Sequence, residues 1–282
     1  MGSTEKHLSP LFVVSPTGMS GTNFLVQALV TVGLCELPQH DVLAREDHLL
    51  FHSSLLKQYV CETAKIWKKW ERNDAILQMR GRALLETISD GILRFVGAPT
   101  AAGKRVVLKT PTSNCVANFP DLFPMAKLIL LVRDGRDSTE SEVRAAYRRD
   151  YDSAFTIWAM RVRELLDFME GPGKEWGTSS WLLVRFEDLV TRPVSTITAI
   201  ASFLEQEGAV ADVDRIAELP VFGSSQLGTA NGRAFHWAVQ EKPDNFNPIG
   251  RWAHWDRDRR DLFQKIAGSE LAALGYDQDD SW

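Results

Sequence analysis

The sequence predicts a single α/β domain built on a central parallel sheet with helices on both faces. Three observations lead there. Short apolar runs rich in Val, Leu and Ile recur along the 282 residues. They lack the alternation of a half-exposed strand, which marks strands buried on both faces. Stretches with apolar residues at helical spacing lie between them, and that alternation of element types is the pattern of a doubly wound sheet.

The four strand runs are residues 11–15 (LFVVS), 105–109 (RVVLK), 127–133 (KLILLVR) and 181–186 (WLLVRF). Helical periodicity covers residues 23–33, where Phe24, Leu25, Ala28, Leu29 and Val32 form one stripe, and recurs at 151–169 and 194–205. Pro193 suits the first position of the last of these, because its missing N–H is an unpaired donor there anyway. Residues 35–100 read as largely helical, with a basic aromatic cluster KIWKKW at 65–70, and interrupt the strand–helix rhythm. They are expected to form a helical cap on the substrate side, with Trp67 and Trp70 as candidate acceptor contacts. Residues 220–250 are rich in Gly, Ser, Asn and Pro without a period, which predicts a lid-like loop.

Composition bounds the function. Hydrophobic residues make up 44% and charged residues 24%, an ordinary globular balance. The net charge of −5 argues against a nucleic-acid binder but leaves room for one basic pocket. Cys35, Cys61 and Cys115 show no CxxC spacing, so neither a disulfide framework nor a zinc site is predicted, and no metal is expected. The opening MGSTEKHLSP has no apolar core behind a basic start, and no apolar run approaches the roughly 20 residues of a membrane helix. The expectation is a soluble, cytoplasmic protein with no membrane or nucleic-acid partner; the oligomeric state is not predicted.

Two motifs carry chemistry. The first strand runs into Ser15-Pro16-Thr17-Gly18-Met19-Ser20-Gly21-Thr22-Asn23 and then a helix. Glycines let the backbone approach an anion, and the free N–H groups of a first helical turn point at it. Ser20 and Thr22 add hydroxyls. Nucleotide-triphosphate loops read GxxxxGK[ST]; here Thr22 and Asn23 follow Gly21, so the loop is P-loop-like without the lysine. An ordinary glycine-rich turn would look the same in isolation. In the second motif the 127–133 strand ends at Arg133-Asp134-Gly135-Arg136-Asp137, followed by Ser141. Asp137 or Ser138 is predicted to cap the next helix, with Ser141 near its first turn, so that Arg133 and Ser141 converge on one dianion at the sheet edge. A solvated ion-pair run is the alternative reading.

Together, MSGTNFL at 19–25 and LLVRDGRDSTES at 130–141 resemble the two signatures by which sulfotransferases bind 3′-phosphoadenosine-5′-phosphosulfate (PAPS). The resemblance implies a P-loop-like fold and transfer of a sulfuryl group from PAPS to a hydroxyl or amine of a small-molecule acceptor, leaving PAP. It implies that Gly18, Met19, Ser20, Gly21, Thr22 and Asn23 hold the 5′-phosphosulfate, and that Arg133 and Ser141 hold the 3′-phosphate. Phe186-Glu187-Asp188-Leu189 is similar to the family segment whose aromatic lies by the adenine. Asn247-Pro248-Ile249-Gly250-Arg251-Trp252 is similar to the late loop over the nucleotide, which adds Gly250, Arg251 and Trp252 to the binding set. A group of lower charge than a phosphoryl needs no magnesium clamp, in keeping with the missing lysine.

The sequence also departs from the family. Met19 stands where a basic residue is usual, and Lys109, in Lys109-Thr110-Pro111, is the candidate replacement. Pro111 stands where cytosolic members carry the catalytic His. A base is therefore sought among Glu36, His40, Asp41, Glu46, Asp47, His48 and His52. His48 comes first, with Asp47 as its neighbour, and His52 follows on the same face if the segment is helical. Asn245-Phe246-Asn247 replaces the family's Arg-Lys-Gly, which leaves Lys242 or Arg251 for those contacts. Two other functions fit parts of the pattern: a P-loop kinase of a small molecule, and a non-catalytic PAP-binding homologue.

Overall fold

A computed structural model of the chain describes residues 8–39, 44, 46–96, 104–209, 213–222 and 239–276. Five strands form one parallel sheet: β1 (Leu11–Val14), β2 (Cys35–Glu36), β3 (Arg105–Thr110), β4 (Lys127–Val132) and β5 (Trp181–Arg185). Their order is β2-β3-β1-β4-β5. The chain reverses its direction of travel across the sheet at β1, so the ends of β1, β3 and β4 open a crevice there. Register sets Val14 beside Thr110 on one side and Leu130 on the other.

Strand alternation sends side chains into two cores. Phe12, Val14, Leu108, Leu130 and Val132 point into one layer, and Leu11, Val13, Val107, Ile129 and Leu131 into the other. Each β1 side chain is fully buried, which is why these runs read as continuous apolar stretches rather than alternating ones. Helix α1 (Thr22–Thr31) covers the second layer with Leu25 and Leu29.

Helices α2 (Ser53–Trp67) and α3 (Asp74–Val96) pack against each other, and the short α4 (Phe119–Leu122) precedes β4. Helix α5 (Gly135–Arg144) follows β4 and leads into α6 (Tyr151–Glu170). Trp158 of α6 packs so closely on the start of α5 that a Cβ at Gly135 would lie 2.5 Å from its ring, so only glycine fits. After α7 (Pro172–Trp176) and β5 come α8 (Phe186–Thr191) and α9 (Pro193–Phe203), the latter with Pro193 in its first turn as predicted. The final helix, α10 (Arg257–Ala273), is capped by Asp256, whose carboxylate accepts from Arg259 N at 2.9 Å, and it packs Phe263 edge-on against Phe155.

Three expectations are corrected. Residues 35–36 are not cap but a two-residue edge strand paired to Arg105–Val106, too short to show a period. Helix α5 is capped by Asp134, which accepts from Arg136 N at 2.9 Å, and not by Asp137 or Ser138; Ser141 therefore sits two turns into the helix. At the predicted lid, Val221–Phe222 and Val239–Gln240 pair as an antiparallel ribbon (β6 and β7), while residues 223–238 lie outside the described residues. Among the described residues no helix is long and apolar enough to cross a membrane.

Candidate active site

The loop after β1 is folded by its own hydroxyls. Ser15 Oγ donates to Thr17 O at 2.9 Å and Ser20 Oγ to the same carbonyl at 2.8 Å. Ser20 is thus buried and turned inward rather than offered to a ligand, a correction to its predicted donor role. Gly21 precedes α1 with φ +89°, a left-handed conformation, and a Cβ there would lie 2.2 Å from the Phe186 ring. Glycine is required twice over: by backbone angle and by that aromatic. No side chain caps α1, so its N-terminus faces the cleft with backbone donors.

That cleft, about 160 Å³, lies at the sheet's carboxyl edge. Gly18, Met19, Gly21, Thr22 and Asn23 form its floor. Arg133, Phe186, Arg251 and Lys242 line the opposite side. Arg133, at the end of β4, spans the cleft: Nη1 donates to Met19 O at 2.6 Å and Nη2 to Pro248 O, while the guanidinium lies 4.8 Å above the Phe186 ring. Asp137 accepts from Gly250 N at 2.9 Å and Arg251 N at 2.6 Å, which draws the late loop onto α5. Arg251 then donates through Nη1 to Ser141 Oγ, which itself donates to Asp137 O at 2.7 Å. Arg133, Ser141 and Arg251 therefore meet beside the glycine turn.

The charge balance at this point is informative. Burial, followed by the positive charges of Arg133 and Arg144, pulls the Arg251 guanidinium down to about 10, and Asp137 and Glu140 offset only part of this. Glu140 is already committed to Arg144, to Tyr151 Oη at 2.8 Å and to Trp255 Nε1 at 2.7 Å. Guanidinium groups held together against their own repulsion make an anion site.

A second group of ionisable side chains stands at the end of β3. Lys109 is buried, and its Nζ has no hydrogen-bond partner; Glu46 Oε1 is 3.8 Å away. Burial pulls the ammonium down to about 8, with Glu46 and Asp47 acting in the opposite direction. Glu46 lines the cleft beside Pro111. Asp47 is turned away, accepting from Thr110 Oγ1 at 2.8 Å and Leu49 N at 2.9 Å. The expected His48–Asp47 partnership is therefore replaced by His48–Glu46, Nε2 to Oε2 at 2.9 Å. His52 is exposed just before α2, so the two histidines do not share a helical face. His40 and Asp41 lie outside the described residues.

Trp252 stacks on Arg136 at 3.9 Å and Trp70 is 77% exposed on the cap, so neither lines the cleft. Glu142 went unnoticed in the sequence. It is buried, its Oε1 lies 3.5 Å from where a Gly18 side chain would begin, and Arg148 Nε approaches at 3.4 Å. Burial pushes its carboxyl up to about 7. Nothing in the sequence sets this glutamate apart from a solvated helical one; only the fold brings it beside the loop. Among the described residues no three His, Cys, Asp or Glu side chains gather as a metal site.

A model of the sulfotransferase family matches residues 10–209. The chain is similar to protein-tyrosine sulfotransferase A of Caenorhabditis elegans, 27% identical over 149 residues, which is 49% of this chain and 38% of that protein's length. Its fold resembles the sulfotransferase domain of the Synechococcus PCC 7002 olefin synthase, with TM-score 0.58 at 21% identity over 99% of both chains. It also resembles a sulfotransferase from Alicyclobacillus acidocaldarius, with TM-score 0.51 at 13% identity, covering 97% of this chain and 98% of that one.

Proposed function

The chain belongs to the sulfotransferase family, and we propose that it transfers the sulfuryl group of PAPS to a hydroxyl or amine of a small-molecule acceptor. One observation supports the nucleotide assignment: Arg133 and Arg251 line the cleft with Gly18, Met19 and Gly21–Asn23, and Arg251 donates to the buried Ser141. PAPS brings two anionic ends, and the site has two places for them. The α1 N-terminus with Thr22 and Asn23 suits the 5′-phosphosulfate. The arginine pair with Ser141 suits the 3′-phosphate, and Phe186, under Arg133, suits the adenine. A triphosphate loop lysine has no counterpart after Gly21, so phosphoryl transfer from Mg-ATP gains no support.

The chemistry falls to Lys109 and Glu46. The acceptor oxygen attacks sulfur; its new O–S bond forms as the bond from sulfur to the bridging phosphate oxygen breaks, and the electron pair leaves with PAP. Lys109, buried at the end of β3 without a hydrogen bond and 3.8 Å from Glu46 Oε1, supplies the positive charge that Met19 does not at the leaving oxygen. Glu46 takes the acceptor proton, the role first given to His48, because Glu46 is the group that reaches the cleft. The protein acts in the cytoplasm, a reading supported by its three free thiols.

The test is transfer of ³⁵S from labelled PAPS to a panel of alcohols and amines. Wild type forms labelled product, and Glu46→Gln and Lys109→Met do not, while both still bind PAP. PAP binding with no transfer to any acceptor would leave a nucleotide-binding homologue instead.

A further inference from the structure

The reading of Glu46 as base leaves open what holds a flexible glutamate in working position on a loop. We infer that His48 is the positioning residue for Glu46, orienting its carboxylate toward Lys109 and the acceptor. The inference rests on the proposed role of Glu46 and adds a residue to it.

Glu46 is shared between two partners. One oxygen, Oε1, faces Lys109 Nζ at 3.8 Å, beyond hydrogen-bond range, and the other, Oε2, meets His48 Nε2 at 2.9 Å. His48 therefore fixes the far oxygen and leaves the near one unbonded on the cleft side.

The backbone supports this arrangement. Asp47, between the two residues, is pinned to the end of β3: its N donates to Lys109 O at 3.1 Å, and its carboxylate accepts from Thr110 and Leu49. His48 follows with φ 49°, a left-handed conformation that side-chain-bearing residues rarely adopt. A left-handed residue directly after a pinned one turns the chain back, so that position 48 can reach position 46. Phe51 N closes this turn onto His48 O at 3.1 Å, and the Phe51 ring stands edge-on to the imidazole. Strained backbone of this kind persists where its surroundings hold it, and it recurs at functional sites.

Exposure is graded along the set: 5% for the Lys109 side chain, 18% for Glu46 and 52% for His48. The histidine is the solvent-facing end, so it adjusts Glu46 from outside without occupying acceptor space. Among the described residues, Lys109 on β3 and Tyr147 in the turn after α5 also feel the charge of Glu46; burial, and then Glu46, raises the Tyr147 hydroxyl.

Two substitutions separate positioning from simple structural support. Asparagine tolerates left-handed backbone but is too short to reach Glu46, whereas glutamine places a donor at the distance of Nε2. His48→Asn is expected to lower kcat about 10- to 100-fold and leave the KM for PAPS within about twofold. His48→Gln is expected to recover most of the rate. Thermal melting confirms that both variants are folded; if His48→Asn is not, His48→Gly, which also accepts the backbone angle, replaces it as the loss-of-contact variant. Two outcomes would overturn the inference: His48→Asn leaving kcat unmoved, or His48→Gln failing to restore it. Glu46→Gln is run alongside. If it stays active, the base assignment itself fails; if it is inactive while His48→Asn behaves as wild type, only the positioning role fails.

Discussion

Lys109 shows how much a single residue's surroundings decide. A buried ammonium without a hydrogen bond is costly unless a ligand completes it. Its depressed proton affinity, about 8, also gives a pH signature. The cation needed at the leaving oxygen is lost as pH rises through about 8, so turnover should fall on that limb while PAP affinity does not follow it; a kcat–pH profile beside a PAP titration checks this. Lys109→Met should cost about 100-fold or more in kcat and leave PAP binding within a few-fold. Glu142 gives the opposite kind of prediction, one about stability. Its carboxyl is raised from 4.5 to about 7 by burial, so its contribution is complete below pH 4.5 and is lost as pH rises through 7. The loss is at most on the order of 3 kcal/mol. Glu142→Gln should therefore raise the melting temperature at pH 8 and change it little at pH 4.5. Lys109 could be picked out in the sequence by its place at the end of a strand run, before Thr110-Pro111. Glu142 could not, since its environment is made by Gly18, more than a hundred positions earlier in the chain.

At the scale of elements, the strand ends and the loop over them divide the work. The loop after β1 is shaped by Gly21, where backbone angle and the Phe186 ring both exclude a side chain. Gly21→Ala should lower the melting temperature and abolish PAP binding, read by differential scanning with and without PAP. The late loop hangs on one carboxylate: Asp137 accepts both Gly250 N and Arg251 N. Asp137→Ala should release Arg251 from Ser141 and weaken PAP by at least about tenfold. The strands were legible because burial on both faces leaves an unbroken apolar run, and α1, α6 and α9 because their stripes are long. Asp134 as the cap of α5 was harder to pick out, because Asp134, Asp137 and Ser138 all qualify by residue type and only the backbone turn chooses. The edge strand at Cys35–Glu36 and the β6–β7 ribbon are two residues each and carry no period at all.

Across the whole molecule, residues separated by more than two hundred positions form one site because β1, β3 and β4 end side by side. The sequence motifs named most of its walls, and the sheet order explains why they meet: the loop after β1 and the start of α5 flank the same crevice. What the motifs could not say was how the charges pair. Arg133 bridges the Met19 and Pro248 carbonyls, Arg251 takes Ser141, and His48 turns to Glu46 rather than Asp47. Those partnerships depend on side-chain reach across the fold and leave no local pattern. The central claim is that Arg133, Arg251 and Ser141 form a pocket for a 3′-phosphate. Calorimetric titration with PAP and with ADP, which lacks that phosphate, tests it most directly. Two charge-assisted contacts predict PAP tighter by at least about 100-fold, with the difference nearly erased in Arg251→Ala. Equal affinity for the two nucleotides would contradict the account.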